Sequence, residues 1–411
     1  MTRRATVEEQ LAVLMRGTQY GDPSLRATME DELRERLREG RPLRVYVGID
    51  PTATVITLGH TVPLRKLRQF QEMGHHCVFL IGNFTGLAGD TSDKLRARAL
   101  LDPETLERNA ATYTEQAVRI LDPQITEVRR NAEWLSKLSF AEVIRLASQF
   151  TISQFLERET WRARVERRDP IYVHELFYPL MQGYDAVALR ADVQIGGSEQ
   201  LFNLMAGRTL QRAHGQRPQV CVTMPILIGT DGHLRMSKTT GNYIAVTDPP
   251  AEMYGKVMSV PDHLILHYYE LVTSAGQQEI DAARAGLAAE NPMGWKKRLA
   301  YRITCDFYGA EAALEAQAEF ERTFQARELP EEMPEVALEA GQPVDLPRLL
   351  VAAGIAASRK EAQRLLEQGA LELDGAPFRE REWQPIDGAV IKVGKRRWLR
   401  VRVTNQSPPA R

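Results

Sequence analysis

Leu43, Val45, Val47 and Ile49 alternate with Arg44, Tyr46 and Gly48, the period of a strand with two different faces, and Pro51 ends it. Over residues 61–73 the apolar positions recur at helical spacing, with Gly74 as the stop. Residues 77–81 form a short apolar run suited to a buried parallel strand. A helix is predicted over 103–121, then a weaker strand over 125–128. Val193, Gln194 and Ile195 lead into Gly196 and Gly197, and 199–212 again reads as helix. Strands alternating with helices predict an α/β architecture on a parallel sheet. Nearly everything over 249–324 reads as helix, and no internal repeat is visible.

The pattern changes beyond that. Residues 328–343 are rich in Pro and Glu and read as a linker. After it come a helix around Leu349 and Leu350 and a second helix over 358–366, ended by Gly369. Leu371, Leu373, Val390, Ile391 and Val393 read as short strands with Gly388 and Gly394 at turns, a small α+β domain. The 411 residues allow two or three domains. The organisation expected is a catalytic domain over 1–245, an α-helical domain over 246–327, the linker over 328–343 and the small domain over 344–411.

Charge sharpens this division. The whole chain nearly balances, 53 basic against 54 acidic side chains, so no global field drives it onto nucleic acid. Residues 344–411, however, hold 13 Lys and Arg against 8 Asp and Glu, a net of +5, which leaves −6 for the remainder. The basic tail reads either as a contact for an RNA or phosphate backbone or as a solvated surface. The longest apolar or small-residue run, 349–357, is far below the ~20 residues of a membrane-spanning helix, so no membrane role is expected. The N-terminal residues carry no apolar core of a leader. Cys77, Cys221 and Cys305 are too dispersed for a zinc pair or a disulfide framework, which predicts a reducing cytoplasm. Only 10 of the 53 basic residues are Lys, so a lysine kept in a polar loop stands out.

Two segments carry candidate chemistry. In the first, a strand ending at Gly48, Ile49 and Asp50 turns through Pro51 and Thr52 into a helix that starts near Gly59 and His60. Such a helix start offers unpaired N–H groups to a phosphate, and Gly59 leaves room for a flat base. An ordinary turn fits the same residues. In the second, Gly229, Gly232, Arg235, Met236, Ser237, Lys238 and Thr239 describe a polar, glycine-bearing loop with two cations. It could close over a polyphosphate, or be a solvated hairpin. Tyr178, Gln182 and Asp185 are spaced to share one helix face, beside an apolar stripe of Phe177, Met181 and Tyr184 expected to face the core.

Taken in order, Thr57-Leu58-Gly59-His60 and Arg235-Met236-Ser237-Lys238-Thr239 resemble the two signature motifs of the class I aminoacyl-tRNA synthetases. The segments from Tyr46 to Ala53, Phe84 to Asp90, Tyr178 to Asp185 and Gln194 to Gln200 are similar to those of the bacterial tyrosyl-tRNA synthetases. Linked motifs in the right order are more specific than any one. The resemblance implies a Rossmann-like catalytic domain, a helical domain on the anticodon side and an S4-like RNA-binding domain at the C-terminus. It implies ATP-dependent activation of L-tyrosine and transfer to tRNA(Tyr), a homodimer, and Mg²⁺ arriving with ATP without a protein-bound metal.

It also implies roles. Tyr46 and Asp185 would grip the phenolic hydroxyl, with Tyr178, Gln182 and Asp90 around the ammonium group, Thr85 close by, and Gln194 and Gln200 near the carboxylate. Thr52, His60, Arg235, Lys238 and Thr239 would act on the pyrophosphate side of ATP. Asp50, Thr57, Gly59, Gly197 and Glu199 would complete the nucleotide site, Glu199 holding the ribose where the family more often has Asp. Arg359, Lys360 and Arg364 would track RNA. The chain departs from the family at Thr57, which replaces the first histidine of its motif, and at Arg235, which replaces a lysine. Rival readings are a tryptophanyl synthetase, a small-molecule nucleotidyltransferase, and an RNA-binding protein whose synthetase site has lapsed.

Overall fold

A computed structural model describes residues 5–90, 102–325, 333–339, 341, 343–394 and 397–404. The chain folds as two compact units, Met1–Leu314 and Glu315–Arg411.

The first unit begins with two helices, α1 (Val7–Leu14) and α2 (Pro23–Arg38), each started by a side-chain cap, Thr6 and Asp22. β1 (Arg44–Ile49) follows, then α3 (Leu58–Glu72) and β2 (His76–Ile81). The one-turn α4 (Thr85–Ala88) and α5 (Pro103–Ala117) lead to β3 (Thr126–Arg130). Four short helices come next: α6 (Ala132–Leu135), α7 (Phe140–Ala147), α8 (Ile152–Leu156) and α9 (Glu159–Glu166). Then come α10 (Val173–Leu189), β4 (Val193–Gly197), α11 (Leu201–Ala213) and β5 (Val220–Met224). The remainder is helical: α12 (Pro250–Met258), α13 (Ile265–Val272), α14 (Gln277–Ala289) and α15 (Pro292–Tyr308), while α16 (Ala310–Phe320) contains the boundary between the two units.

The five strands form one parallel sheet in the order β3-β2-β1-β4-β5. The chain winds outward from β1 in one direction and resumes on the other side at β4. The switch between β1 and β4 opens a crevice at their C-terminal ends, where doubly wound sheets bind ligands. In register, Tyr46 lies between Val78 and Gln194. Val45, Tyr46 and Val47, all of 77–81 and Val220–Val222 are buried, as a sheet covered by helices on both faces requires. Burial of each large aliphatic there contributes about 1.5–3 kcal/mol.

The expected elements appear with shifted ends. α3 starts at Leu58 rather than 61, which places His60 in its first turn. The helices α12 to α15, expected to belong to a domain of their own, fall in the same unit as the sheet. Arg65 on α3 pairs with Asp306 on α15 at 2.9 Å, and the Tyr268 hydroxyl of α13 donates to the Ile228 carbonyl at 2.6 Å.

The second unit contains β6 (Glu335–Glu339), β7 (Val344–Asp345), α17 (Leu346–Ala352) and α18 (Arg359–Glu367). β8 (Leu371–Leu373), β9 (Ala376–Phe378), β10 (Glu382–Trp383), β11 (Val390–Val393) and β12 (Arg397–Thr404) complete it. One sheet runs β6-β12-β11-β8-β9, and β7 pairs with β10. The stretch expected as a linker is therefore corrected: residues 335–339 are a strand parallel to β12. Val336 and Leu338 alternate with Glu335, Ala337 and Glu339, and the two apolar side chains pack on the core of this unit. Residues 328–332, 340 and 342 of that stretch lie outside the described residues. Among the described residues no helix is long and apolar enough to cross a membrane.

Candidate active site

A cavity of about 700 Å³ sits at the β1–β4 switch. All eighteen residues expected to act on tyrosine or ATP line it. β1 and the turn after it supply Tyr46, Asp50, Thr52 and Thr57, and the first turn of α3 supplies Gly59 and His60. Thr85 and Asp90 flank α4, and α10 contributes Tyr178, Gln182 and Asp185. Gln194 and Gly197 come from β4, with Glu199 and Gln200 just beyond it, and Arg235, Lys238 and Thr239 come from the late loop.

Tyr46 is almost wholly buried on β1, and among the described residues its hydroxyl has no hydrogen-bond partner at normal geometry, although the Gln219 amide lies beside it. Burial and the nearby Asp185 carboxyl hold this phenol well above its usual range. Asp185 is also buried. Its Oδ1 accepts from the Trp134 indole N–H at 2.7 Å and its Oδ2 from the Asn131 amide at 3.2 Å. Burial outweighs those two donors and pushes the Asp185 carboxyl up to about 8. Asn131, which lines the cavity, and Trp134, which holds Asp185, are not marked by the periodicity of the sequence, because they sit at a one-turn helix and its cap.

A second polar knot stands beside this pair. Asp50 accepts from the Tyr178 hydroxyl at 2.8 Å and from Thr85 Oγ1 at 2.7 Å, and Asn131 donates to Thr85 Oγ1 at 2.9 Å. Asp50 was expected on the nucleotide side, yet its carboxylate joins the amino-acid residues. Gly82 makes this possible: a Cβ there would stand 1.9 Å from Asp50 Oδ1 and 2.5 Å from Thr85 Oγ1. The Gln200 amide donates to Asp90 at 2.6 Å, and Asn203 donates to both Gln182 and Gln200 at 3.0 Å. Gln194 accepts from Gln219 at 2.5 Å. On α10 the polar Tyr178 and Asp185 are buried together with Leu180, Ala186, Val187 and Leu189. Phe177 and Met181 are only half-buried, which corrects the expected core stripe, while Tyr184 packs on a cluster with Phe155 and Trp161.

The end expected to take the nucleotide is built differently. Thr57 is buried; its backbone N–H donates to His60 Nδ1 at 3.2 Å and its hydroxyl lies 2.8 Å from the same nitrogen. Since an N–H can only donate, Nδ1 is the acceptor and the ring proton is assigned to Nε2. Burial, then the charge of Lys238, lowers His60 to about 4, so the ring is neutral at physiological pH. Thr57 thus reaches the site through His60, not through its own hydroxyl. The Lys238 amine donates to the Val55 carbonyl at 2.6 Å and lies 3.5 Å from the Tyr113 hydroxyl. Burial lowers Lys238 to about 8, leaving it mostly charged near neutrality. Glu199 folds against the backbone of Gly197, where a Cβ would meet its carboxylate at 2.2 Å. Thr239 is exposed at the rim. Among the described residues no group of three or more His, Cys, Asp or Glu is arranged to hold a metal ion.

A doubly wound parallel sheet whose switch point joins an amino-acid-sized polar recess to a cation-bearing flap defines the catalytic domain of a class I aminoacyl-tRNA synthetase. The model of the class I tRNA synthetases for W and Y matches residues 38–325. The chain is 48% identical over 399 residues to the tyrosine–tRNA ligase of Moorella thermoacetica, covering 96% of both chains. It is 44% identical over 400 residues to that of Thermotoga maritima, covering 96% of this chain and 98% of the relative. Among solved structures, a tyrosyl-tRNA synthetase of Archaeoglobus fulgidus complexed with L-tyrosine shares the fold at a TM-score of 0.60 and 23% identity, over 76% of this chain and all of that one. The chain belongs to the bacterial tyrosyl-tRNA synthetase family.

Proposed function

We propose that the chain activates L-tyrosine with ATP and transfers the tyrosyl group to the 3′ end of tRNA(Tyr). The observation that carries this is the shared cavity: the phenol-directed pair Tyr46 and Asp185 opens into the same hollow as His60 and Lys238. Tyr46 and Asp185 hold the substrate hydroxyl; an amino acid lacking it leaves buried polar groups unpaired, at about 1–3 kcal/mol each. Tyr178, Gln182 and Asp90 face the ammonium group with Asp50 and Thr85 behind them, and the charge-assisted hydrogen bonds there are worth ~1.5–3 kcal/mol each. Gln194 and Gln200 stand near the carboxylate.

The tyrosine carboxylate attacks the α-phosphorus of ATP, forming the mixed anhydride and releasing pyrophosphate with the bridging electron pair. The 3′-terminal hydroxyl of tRNA then attacks the tyrosyl carbonyl, its proton leaves, and AMP departs. No protein nucleophile is required, and the site works by positioning and by neutralising phosphate charge. Thr52, neutral His60, Arg235, Lys238 and Thr239 serve the pyrophosphate side. Gly59, Gly197 and Glu199 serve the nucleoside, and Mg²⁺ enters with ATP as part of the substrate.

The tail reads as the tRNA-binding module. Its cations divide in two: Arg381, Lys392, Arg397 and Arg402 pair with Asp345, Glu372, Glu361 and Glu335. Arg359, Lys360 and Arg364 on α18 are exposed and have no ion pair among the described residues, which suits an RNA backbone. A second copy of the chain is the proposed partner of the first unit, where Phe140, Ile144, Ile152, Val165 and Val173 are more than half exposed. Phe140→Glu should shift the assembly to monomer in sedimentation; a dimer as tight as the parent's would remove this face from the interface. The cytoplasm is the proposed location, in keeping with three free thiols. Charging of tRNA with labelled tyrosine tests the function directly, and absence of tyrosyl ester would refute it.

A further inference from the structure

The flap that carries Arg235 and Lys238 has two lobes. A hairpin base holds the first: Met236 N–H donates to the Leu227 carbonyl at 2.8 Å and Gly229 N–H to the Leu234 carbonyl at 2.7 Å. The second lobe, 237–241, is a small turn in which Gly241 N–H donates to the Lys238 carbonyl at 3.2 Å. One side chain spans them. Asn242 is buried, and every hydrogen-bonding position of its amide that the geometry resolves is used. Its oxygen accepts from Ser237 N–H at 2.8 Å and from Thr240 Oγ1 at 2.7 Å, both in the Lys238 lobe. Its nitrogen donates to Asp231 Oδ2 at 2.7 Å and to the Arg235 carbonyl at 3.0 Å, both in the first lobe. The chain is folded tightly around it: a Cβ on Gly229 would stand 2.3–2.6 Å from the Asn242 amide and carbonyl oxygen.

We infer that Asn242 is a positioning residue for adenylate formation, clasping the two lobes so that the Lys238 amine and the Arg235 guanidinium reach the triphosphate as one rigid unit. The inference rests on the proposed role of Lys238 at ATP. An amide does this where neither a carboxylate nor a hydroxyl can, because two donors and two acceptors must be met by one planar group. Preset geometry matters here, since catalysis by positioning loses its advantage when the reacting charges wander. Asn242 makes no claim on tyrosine, whose proposed residues lie on or beside β1, α4, α10 and β4.

The test is a double-mutant cycle in the full-length chain, reading single-turnover adenylate formation and tyrosine affinity. Asn242→Ala should slow adenylate formation about tenfold or more, the loss of several hydrogen bonds at a positioned group, with tyrosine affinity within about twofold of the parent. Added to Lys238→Ala it should cost clearly less than it does in the parent, because one of the two cations that the clasp positions is already gone. Asn242→Asp, which sets a carboxylate against Asp231, should be as slow, and Asp231→Asn in the same chain should restore much of the rate by exchanging donor for acceptor. A full multiplicative loss on the Lys238→Ala background, or an equal loss of tyrosine affinity, overturns the proposal. If Lys238→Ala alone leaves adenylate formation unchanged, the reading of Lys238 falls and the proposal falls with it.

Discussion

Asp185 keeps a proton that an exposed aspartate would release. Its carboxyl rises from an ordinary 3.8 to about 8 because it is sealed between α10 and Trp134, and two neutral donors do not offset the lost hydration. Between those limits the folded chain binds a proton that the unfolded chain lets go, so this residue's contribution to stability falls as pH rises. Asp185→Asn, which cannot ionise, should raise the melting temperature relative to the parent more at pH 8 than at pH 5, while tyrosine binding is lost. Equal shifts at the two pH values would contradict the burial argument. His60 is the opposite case: lowered to about 4, it stays neutral throughout that range, and its Nε2–H serves as an uncharged donor. Thr57 illustrates how a motif can mislead. The family's histidine reads as a phosphate ligand, whereas the threonine spends its hydroxyl on the neighbouring ring.

Among the elements, the meeting of β2 and α4 has the least slack. Gly82 lets the Asp50 carboxylate and Thr85 hydroxyl approach the backbone, and a Cβ there would push both side chains out of the hydrogen bond they share. Gly82→Ala should therefore cut tyrosine affinity by about tenfold or more, the cost of breaking buried hydrogen bonds, without loss of the fold in circular dichroism. Affinity equal to the parent's would remove the Asp50 knot from substrate binding. The sheet was legible in the sequence because buried strands announce themselves by period and by apolar runs, as β1 and β2 do. The cavity lining was legible for the residues at strand ends and along one face of α10. Trp134, Asn131, Gln219 and Asn242 were not, because each works from a cap, a loop or a strand entry where no period exists. α7 to α9 were equally silent: helices of five to eight residues give too few turns for a pattern. β6 was hidden by composition, its Val336 and Leu338 masked by flanking glutamates.

The second unit is the proposed tRNA-binding module, and the strand β6 decides where a cut can fall. A chain ending at residue 343 would keep β6 while losing β12, its partner, so the informative truncation ends at residue 325. That chain should form tyrosyl-adenylate at the parent's rate while tRNA charging falls about a hundredfold, as expected when several phosphate contacts are removed. Unchanged charging would take the basic tail out of tRNA recognition. The central claim is that one cavity seats a phenolic amino acid beside a triphosphate, and exchange of labelled pyrophosphate into ATP tests it most directly. The account predicts rapid exchange with tyrosine, none above background with phenylalanine or tryptophan, and its loss in Asp185→Asn. Exchange driven equally by phenylalanine, or by no amino acid at all, would contradict it.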